Sequence, residues 1–134
     1  MIHVTDKPLS PEDAVARAKT PDSGCVATYV GLIRDNSRGK SVYSIEYTDT
    51  DGKAAEKLGE IAAEIRRKYP VNSVVIYHRI GRLEVGDINL VVAVAAAHRS
   101  EGLAAVAYAV DLFKEKLPTS KKETYLDGTV WEGH

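Results

Sequence analysis

The chain is predicted to adopt an α+β fold built mainly from antiparallel strands, and three observations point there. Its β-forming segments come in two close pairs with brief connections, which favour antiparallel pairing over the crossovers of a doubly wound sheet. Segments with helical periodicity precede, separate and follow these pairs. At 134 residues the chain has the size of one domain, assigned to residues 1–134, with no repeat or linker-like stretch dividing it.

Each element has its own signature. Ser10-Pro11-Glu12-Asp13 opens a helix: Ser10 caps, Pro11 suits the first position, and the two acids favour the positive end. It should run to about Lys19 and stop at Thr20-Pro21. Gly24 to Arg34 is small, β-branched or aromatic, and reads as a strand. From Val42 to Thr48, Tyr43, Ile45 and Tyr47 alternate with Ser44, Glu46 and Thr48, the period of a half-buried strand. The polar stretch Asp35 to Lys40 between them is expected to be a mobile turn. Ala54, Leu58, Ile61, Ala62, Ile65 and Tyr69 make one face of a second helix, ended by Pro70. Val74–Ile80 and Ile88–Ala97 are strongly β-forming and joined through Val85-Gly86-Asp87. A last long helix runs from Ser100 to about Leu117, and Asp127-Gly128 marks a terminal hairpin between Thr124 and Glu132.

Composition excludes several roles. The chain carries 18 Lys and Arg against 19 Asp and Glu, a net charge of −1, which argues against a surface that adheres to nucleic acid or an anionic membrane. No run approaches the ~18 apolar residues of a membrane span, and the N-terminus lacks a signal-peptide pattern. The single cysteine, Cys25, sits in the apolar run Cys25-Val26-Ala27 and reads as a packing thiol in a reducing, cytoplasmic setting. One cysteine and four dispersed histidines make a metal site improbable, so no metal ligand is assigned. Neither a phosphate-binding glycine loop nor a serine elbow is present.

What remains is cationic. On the last long helix, Leu103, Val106, Ala107, Val110, Phe113 and Leu117 are expected to form the buried stripe, with Lys114 inside it. Lys114 then either snorkels from the edge of that stripe or meets an anion in a partly desolvated pocket. His98-Arg99 ends an apolar strand directly before a helix start, where backbone N–H groups and the dipole favour an anion. The equal alternative has His98 satisfied by a local carbonyl and Arg99 paired with Glu101. Arg34 ends another strand, and Lys121-Lys122-Glu123 follows Pro118. His78 and Arg79 point to opposite faces of a strand, one of them packed or at an interface, and neither is given a catalytic role. If the cations converge, they form a site for a polyanionic small molecule or a carboxyl terminus.

The ordered set Gly31-Leu32-Ile33-Arg34-Asp35, His78-Arg79-Ile80-Gly81, Gly86-Asp87, Ala97-His98-Arg99-Ser100, Lys114, Pro118 to Glu123, and Asp127-Gly128 with Trp131 resembles the large, catalytic subunit of molybdopterin synthase. The resemblance covers most of the chain, from about Gly24 to Trp131. It implies an α/β-hammerhead-type fold with a small additional antiparallel β subdomain. It also implies a homodimer at the centre of a heterotetramer, each copy binding a small ubiquitin-like sulfur-carrier subunit. That carrier ends in Gly-Gly and brings sulfur as a C-terminal thiocarboxylate; no bound cofactor is implied. The sulfur goes to cyclic pyranopterin monophosphate to form the dithiolene of molybdopterin. By the same resemblance Lys114 and Lys121 are the catalytic pair. Leu32, Ile33, Arg34, His98, Arg99, Lys122 and Glu123 are then the substrate-binding residues, with part of the site near Arg34 or His98 contributed by the other protomer. The strands around Val74 and Val91 are candidates for the dimer surface.

One departure stands out. Pro118-Thr119-Ser120-Lys121 lacks the bulky residue and tryptophan that usually precede the lysine, a loss expected to widen the pocket or loosen Lys121. Leu103 is also found where an aromatic residue is common. The alternative function is a non-catalytic α+β module that binds an anionic ligand or a peptide C-terminus.

Overall fold

The computed structural model describes residues 1–133; His134, the last residue of the expected domain, lies outside them. The chain runs β1 (Ile2–Thr5), α1 (Pro11–Ala18), β2 (Cys25–Leu32), β3 (Asn36–Ser37), β4 (Lys40–Thr48) and α2 (Ala54–Lys68). It continues through β5 (Ser73–Arg79), β6 (Gly81–Glu84), β7 (Ile88–Ala96), α3 (Arg99–Glu115), β8 (Ser120–Tyr125) and β9 (Val130–Gly133). This is the expected α+β arrangement, resolved into two sheets.

The first sheet has the order β1-β5-β7-β2, with β1 parallel to β5 and the other pairs antiparallel. Helices cover both of its faces. Leu90, Val92 and Val94 of β7 pack with Leu58, Ile61 and Ile65 of α2 and with Val106, Val110 and Phe113 of α3. Val91, Ala93 and Ala95 face the other way, against Ala14 and Ala18 of α1. Burial on both faces explains why β7 reads as an unbroken apolar run rather than an alternation. Val74 and Val91 are fully enclosed within the chain, so they cannot form the dimer surface proposed from their apolarity.

The second, antiparallel sheet has the order β3-β4-β8-β9, with β6 also paired to β4. Ile33, Val42, Ile45, Tyr47, Leu83 and Tyr125 form its core. The segment expected as a mobile turn, Asp35 to Lys40, is instead a small hairpin, with Asn36 opposite Ser41 and Ser37 opposite Lys40. That hairpin takes up the turn, so the strands expected to pair across it separate. β2 pairs with β7 in the first sheet, and β4 joins β6 and β8 in the second.

Two faces differ from simple periodicity. A bulge between Val42 and Ser44 turns Tyr43 outward, 54% exposed, while Ser44, Ile45 and Tyr47 are buried. On α3 the buried stripe is Gly102, Ala105, Val106, Ala109, Val110, Leu112 and Phe113. Leu103, 60% exposed, and Ala107 lie outside it. Small residues set this rotation: a Cβ on Gly102 would stand 3.1 Å from the Cys25 sulfur, so the helix settles its smallest face onto β2. α1 and α2 follow the sequence closely. Ser10 accepts a hydrogen bond from the Asp13 N–H, and α2 buries Ala54, Leu58, Ile61, Ala62 and Ile65. Among the described residues no helix is long and apolar enough to cross a membrane.

Candidate active site

Where the two sheets meet, a cleft of about 150 Å³ gathers side chains that are distant in sequence. The end of β2 and the residues after it supply Leu32, Ile33 and Arg34, while β8 supplies Lys121 and Glu123. Lys114 enters from the last turn of α3, where the negative end of the helix dipole suits a cation. Lys114 is exposed and sits at the edge of the helix's buried stripe, not within it.

Alternation along β8 decides which neighbours share the cleft. Lys121 and Glu123 face it, whereas Lys122 lies on the outer surface with Tyr43, Arg82 and Thr124. Lys122 is therefore removed from the set of expected pocket residues. His98 and Arg99 are also elsewhere: they line a surface hollow with Gly24, Cys25 and Ser100 at the start of α3. Neither His98 nor Arg99 reaches the cleft of its own chain. The bulk missing before Lys121 does not widen the cleft either. Ser120 faces outward and borders a separate hollow of about 310 Å³ with Thr50, Asp51 and Pro118.

Glu123 organises the cationic side. Its residue is 1% exposed, yet the carboxylate holds Lys121 Nζ at 3.0 Å and Arg38 Nε at 3.7 Å. The Tyr125 hydroxyl donates to it at 2.7 Å. Burial pushes the Glu123 carboxyl up, but hydrogen bonds from Tyr125, Ser37 and Lys121 outweigh this and hold it below the ordinary range. Arg38 has a left-handed backbone (φ 53°) and lies 3.6 Å over the Trp131 ring, which fixes it beside the carboxylate.

Tyr47 and Asn89 also line the cleft and were not singled out from the sequence. The Asn89 amide donates to the Tyr47 hydroxyl at 3.0 Å, while its own Oδ1 is buried without a partner. Burial pushes the Tyr47 phenol up, so it stays protonated and can donate to an anion. Asn89 was detectable as the one polar residue in the run Ile88–Ala97. Among the described residues no cluster of three His, Cys, Asp or Glu is placed to hold a metal ion. The cleft's lining presents two ammonium groups and a guanidinium against one carboxylate, a site for anions. A larger groove of about 640 Å³ between α2 and α3 mixes Lys57 and Lys116 with Glu60, Glu64 and Glu115, and so has no such bias.

Behind the cleft, His78 is fully buried between Tyr47 and Phe113, each ring centroid 5.0 Å away in edge-on contact. It is thus the packed member of the His78-Arg79 pair. Burial lowers its affinity for a proton, against the opposing pull of the Asn89 carbonyl and Asp49. The unfolded chain therefore takes up a proton that the folded chain refuses as pH falls below the ordinary histidine value. Stability should drop through that window by up to ~1.4 kcal/mol per pH unit from this group. Denaturant unfolding between pH 7 and 5 checks this: the slope should be shallower in His78→Gln, and an unchanged slope would contradict it.

Residues 4–116 match the MoaE protein family. The chain is 44% identical over 127 residues to a molybdopterin synthase catalytic subunit from Nostoc, spanning 94% of this chain and 77% of that one. It is 35% identical over 134 residues to the human molybdopterin synthase catalytic subunit, spanning 100% of this chain and 71% of the relative. The crystal structure of molybdopterin synthase from Staphylococcus aureus is similar with a TM-score of 0.90 at 32% identity, covering 98% of this chain and 96% of that one.

Proposed function

Because the chain belongs to the MoaE protein family, we propose that it acts as the catalytic subunit of a molybdopterin synthase. It takes sulfur from the C-terminal thiocarboxylate of a small ubiquitin-like carrier and places it on cyclic pyranopterin monophosphate, building the dithiolene of molybdopterin. The observation that carries this reading is the convergence of Arg34, Lys114 and Lys121, from three separate elements, on one cleft.

Both reactants are anions, and bringing them together costs Coulomb repulsion that clustered cations offset. Arg34 meets the phosphate with a fork of donors. Lys121, held by Glu123, orients the thiocarboxylate. Once its sulfur is bonded to the substrate, water attacks the acyl carbon and Lys121 stabilises the negative charge on the acyl oxygen as the acyl–sulfur bond breaks. This leaves the sulfur on the substrate and the carrier as a carboxylate. Lys114, which lines the same cleft from the last turn of α3, assists proton transfer or opening of the phosphate ring. The sulfur arrives on the carrier, so the chain itself needs no bound cofactor, and we assign its work to the cytoplasm.

His98 and Arg99 stand outside their own cleft, and we assign them to the cleft of a second copy. The working form is then a homodimer with one carrier on each copy, a heterotetramer.

The test is reconstitution with thiocarboxylated carrier and cyclic pyranopterin monophosphate, reading dithiolene product. Product formation is expected; none with an authenticated carrier would favour a non-catalytic anion-binding module. In the same assay, Lys121→Ala chains mixed with Arg99→Ala chains should regain activity that neither has alone. No recovery from two folded variants would return Arg99 to its own chain.

A further inference from the structure

We infer that Thr119, held by the buried His78, is the positioning residue that sets Lys121 in the cleft; this rests on the catalytic reading of Lys121. Thr119 is 1% exposed and lies two residues before Lys121, at the point where the chain enters β8. His78 Nδ1 is 2.9 Å from the Asn89 carbonyl oxygen, and Nε2 is 3.0 Å from the Thr119 hydroxyl.

The direction of these bonds follows from chemistry. A carbonyl only accepts, so Nδ1 carries the proton. The enclosed ring is neutral, so Nε2 is bare and the Thr119 hydroxyl must donate to it. The ring cannot turn away, because Tyr47 and Phe113 grip it from two sides. Tyr47 is itself the cross-strand partner of Lys121 in the β4–β8 register. A rigid, directional bond therefore joins the first sheet to the strand that carries the lysine.

A second tie secures the opposite face. The Ser120 hydroxyl lies 2.8 Å from the Thr50 hydroxyl and donates to the Thr48 carbonyl at 3.3 Å. Polar bonds thus fasten the entry to β8 on both sides at the two positions where bulk is absent. They do not touch the cleft, so they act only through where they place the strand. Misplacing a catalytic group by about 1 Å can cost as much as ~10²-fold in rate. Lys121 has little else to fix it, its ammonium pairing with Glu123 alone among the described residues.

The experiment compares Thr119→Val, which removes the hydroxyl at nearly constant shape, with Thr119→Ser, which keeps it. Full-length variants are assayed with thiocarboxylated carrier and cyclic pyranopterin monophosphate, well below their measured unfolding midpoints. We expect kcat to fall about tenfold in Thr119→Val with the KM for carrier nearly unchanged, and to return in Thr119→Ser. In a Lys121→Ala background the valine change should have no further effect on rate. If Thr119→Val does not fold, Thr119→Ala makes the same comparison. Normal kcat without the hydroxyl, while Lys121→Ala is inactive, would overturn the positioning role; so would equal losses in the valine and serine variants. Full activity in Lys121→Ala would instead sink the reading of Lys121, and the proposal with it.

Discussion

Lys121→Ala is expected to lower turnover by about 10²–10³-fold, the usual loss when a donor aimed at developing charge is removed. Lys114→Ala should lose a comparable or larger factor if its ammonium moves a proton, since positioned acids and bases contribute about 10²–10⁴-fold. The two variants should differ in stability. Lys114 is exposed and has no ion-pair partner among the described residues, so its removal should change stability by no more than about 0.5 kcal/mol. Lys121 pairs with the buried Glu123, which keeps Arg38 and Tyr125 after the change, so a cost near 1 kcal/mol is expected. Arginine is not a safe replacement at either site, because its planar fork does not reproduce a compact ammonium on a flexible stem. Turnover and denaturant unfolding, measured side by side, check both expectations. If both alanine variants convert precursor at the normal rate, the lysines are not the catalytic pair.

Legibility in the sequence divides along a physical line. The buried face of helix α2 was readable from Ala54 to Ile65, since a 3.6-residue period depends on nothing distant, although the helix was expected from about Asp51 to Tyr69 and spans Ala54–Lys68. The N-cap of α1 was equally local. Tyr43 was placed on the wrong face because one bulged residue reverses the alternation of a strand, and a bulge leaves no mark in residue type. Lys114 was singled out for lying inside the apolar stripe of α3, yet it lies at the edge, because Gly102 and Ala105 rotate the helix onto β2. It reaches the cleft all the same, through its place in the last helical turn. Strand β1 was missed: it has only four residues and is held by long-range pairing to β5. The two sheets were not foreseen as separate, since the division depends on where β2 and β4 find partners.

The candidate site shows the same division. Arg34, Lys114, Lys121, Glu123, Leu32 and Ile33 line one cleft. Lys122 does not, by the alternation that any strand imposes, and this was foreseeable once β8 was known to begin before it. Arg38 was hidden in a segment read as a mobile turn. Its stacking on Trp131, 93 residues later in the chain (131 − 38), has no local signal.

Glu123→Gln should be the most damaging near-isosteric change in the cleft, affecting stability and turnover together. The glutamine keeps the shape and one acceptor oxygen, so the Tyr125 hydroxyl can retain its bond. What disappears is the only carboxylate in the cleft's lining, opposite Arg34, Lys114 and Lys121. Lys121 and Arg38 then lose their shared counter-ion. Both still reach solvent, so the cost should fall below the ~3–5 kcal/mol of a fully buried pair, at about 1–3 kcal/mol. Turnover should drop by more than tenfold, because an ammonium freed from Glu123 is repelled by its cationic neighbours and leaves the reacting position. The pH dependence carries a separate sign. A carboxyl held below its ordinary pKa stabilises the fold at neutral pH and loses that contribution as pH falls through the carboxylate range. The parent should therefore lose stability below about pH 4.5 more steeply than Glu123→Gln. Unfolding followed from pH 7 to 3 reads that difference, and the reconstituted reaction reads turnover. A glutamine variant as stable, as active and as acid-sensitive as the parent would mean that Glu123 neither neutralises nor places Lys121. A variant that loses activity but keeps the parent's acid sensitivity would leave the placement of Lys121 intact and refute the ion pair as a source of stability.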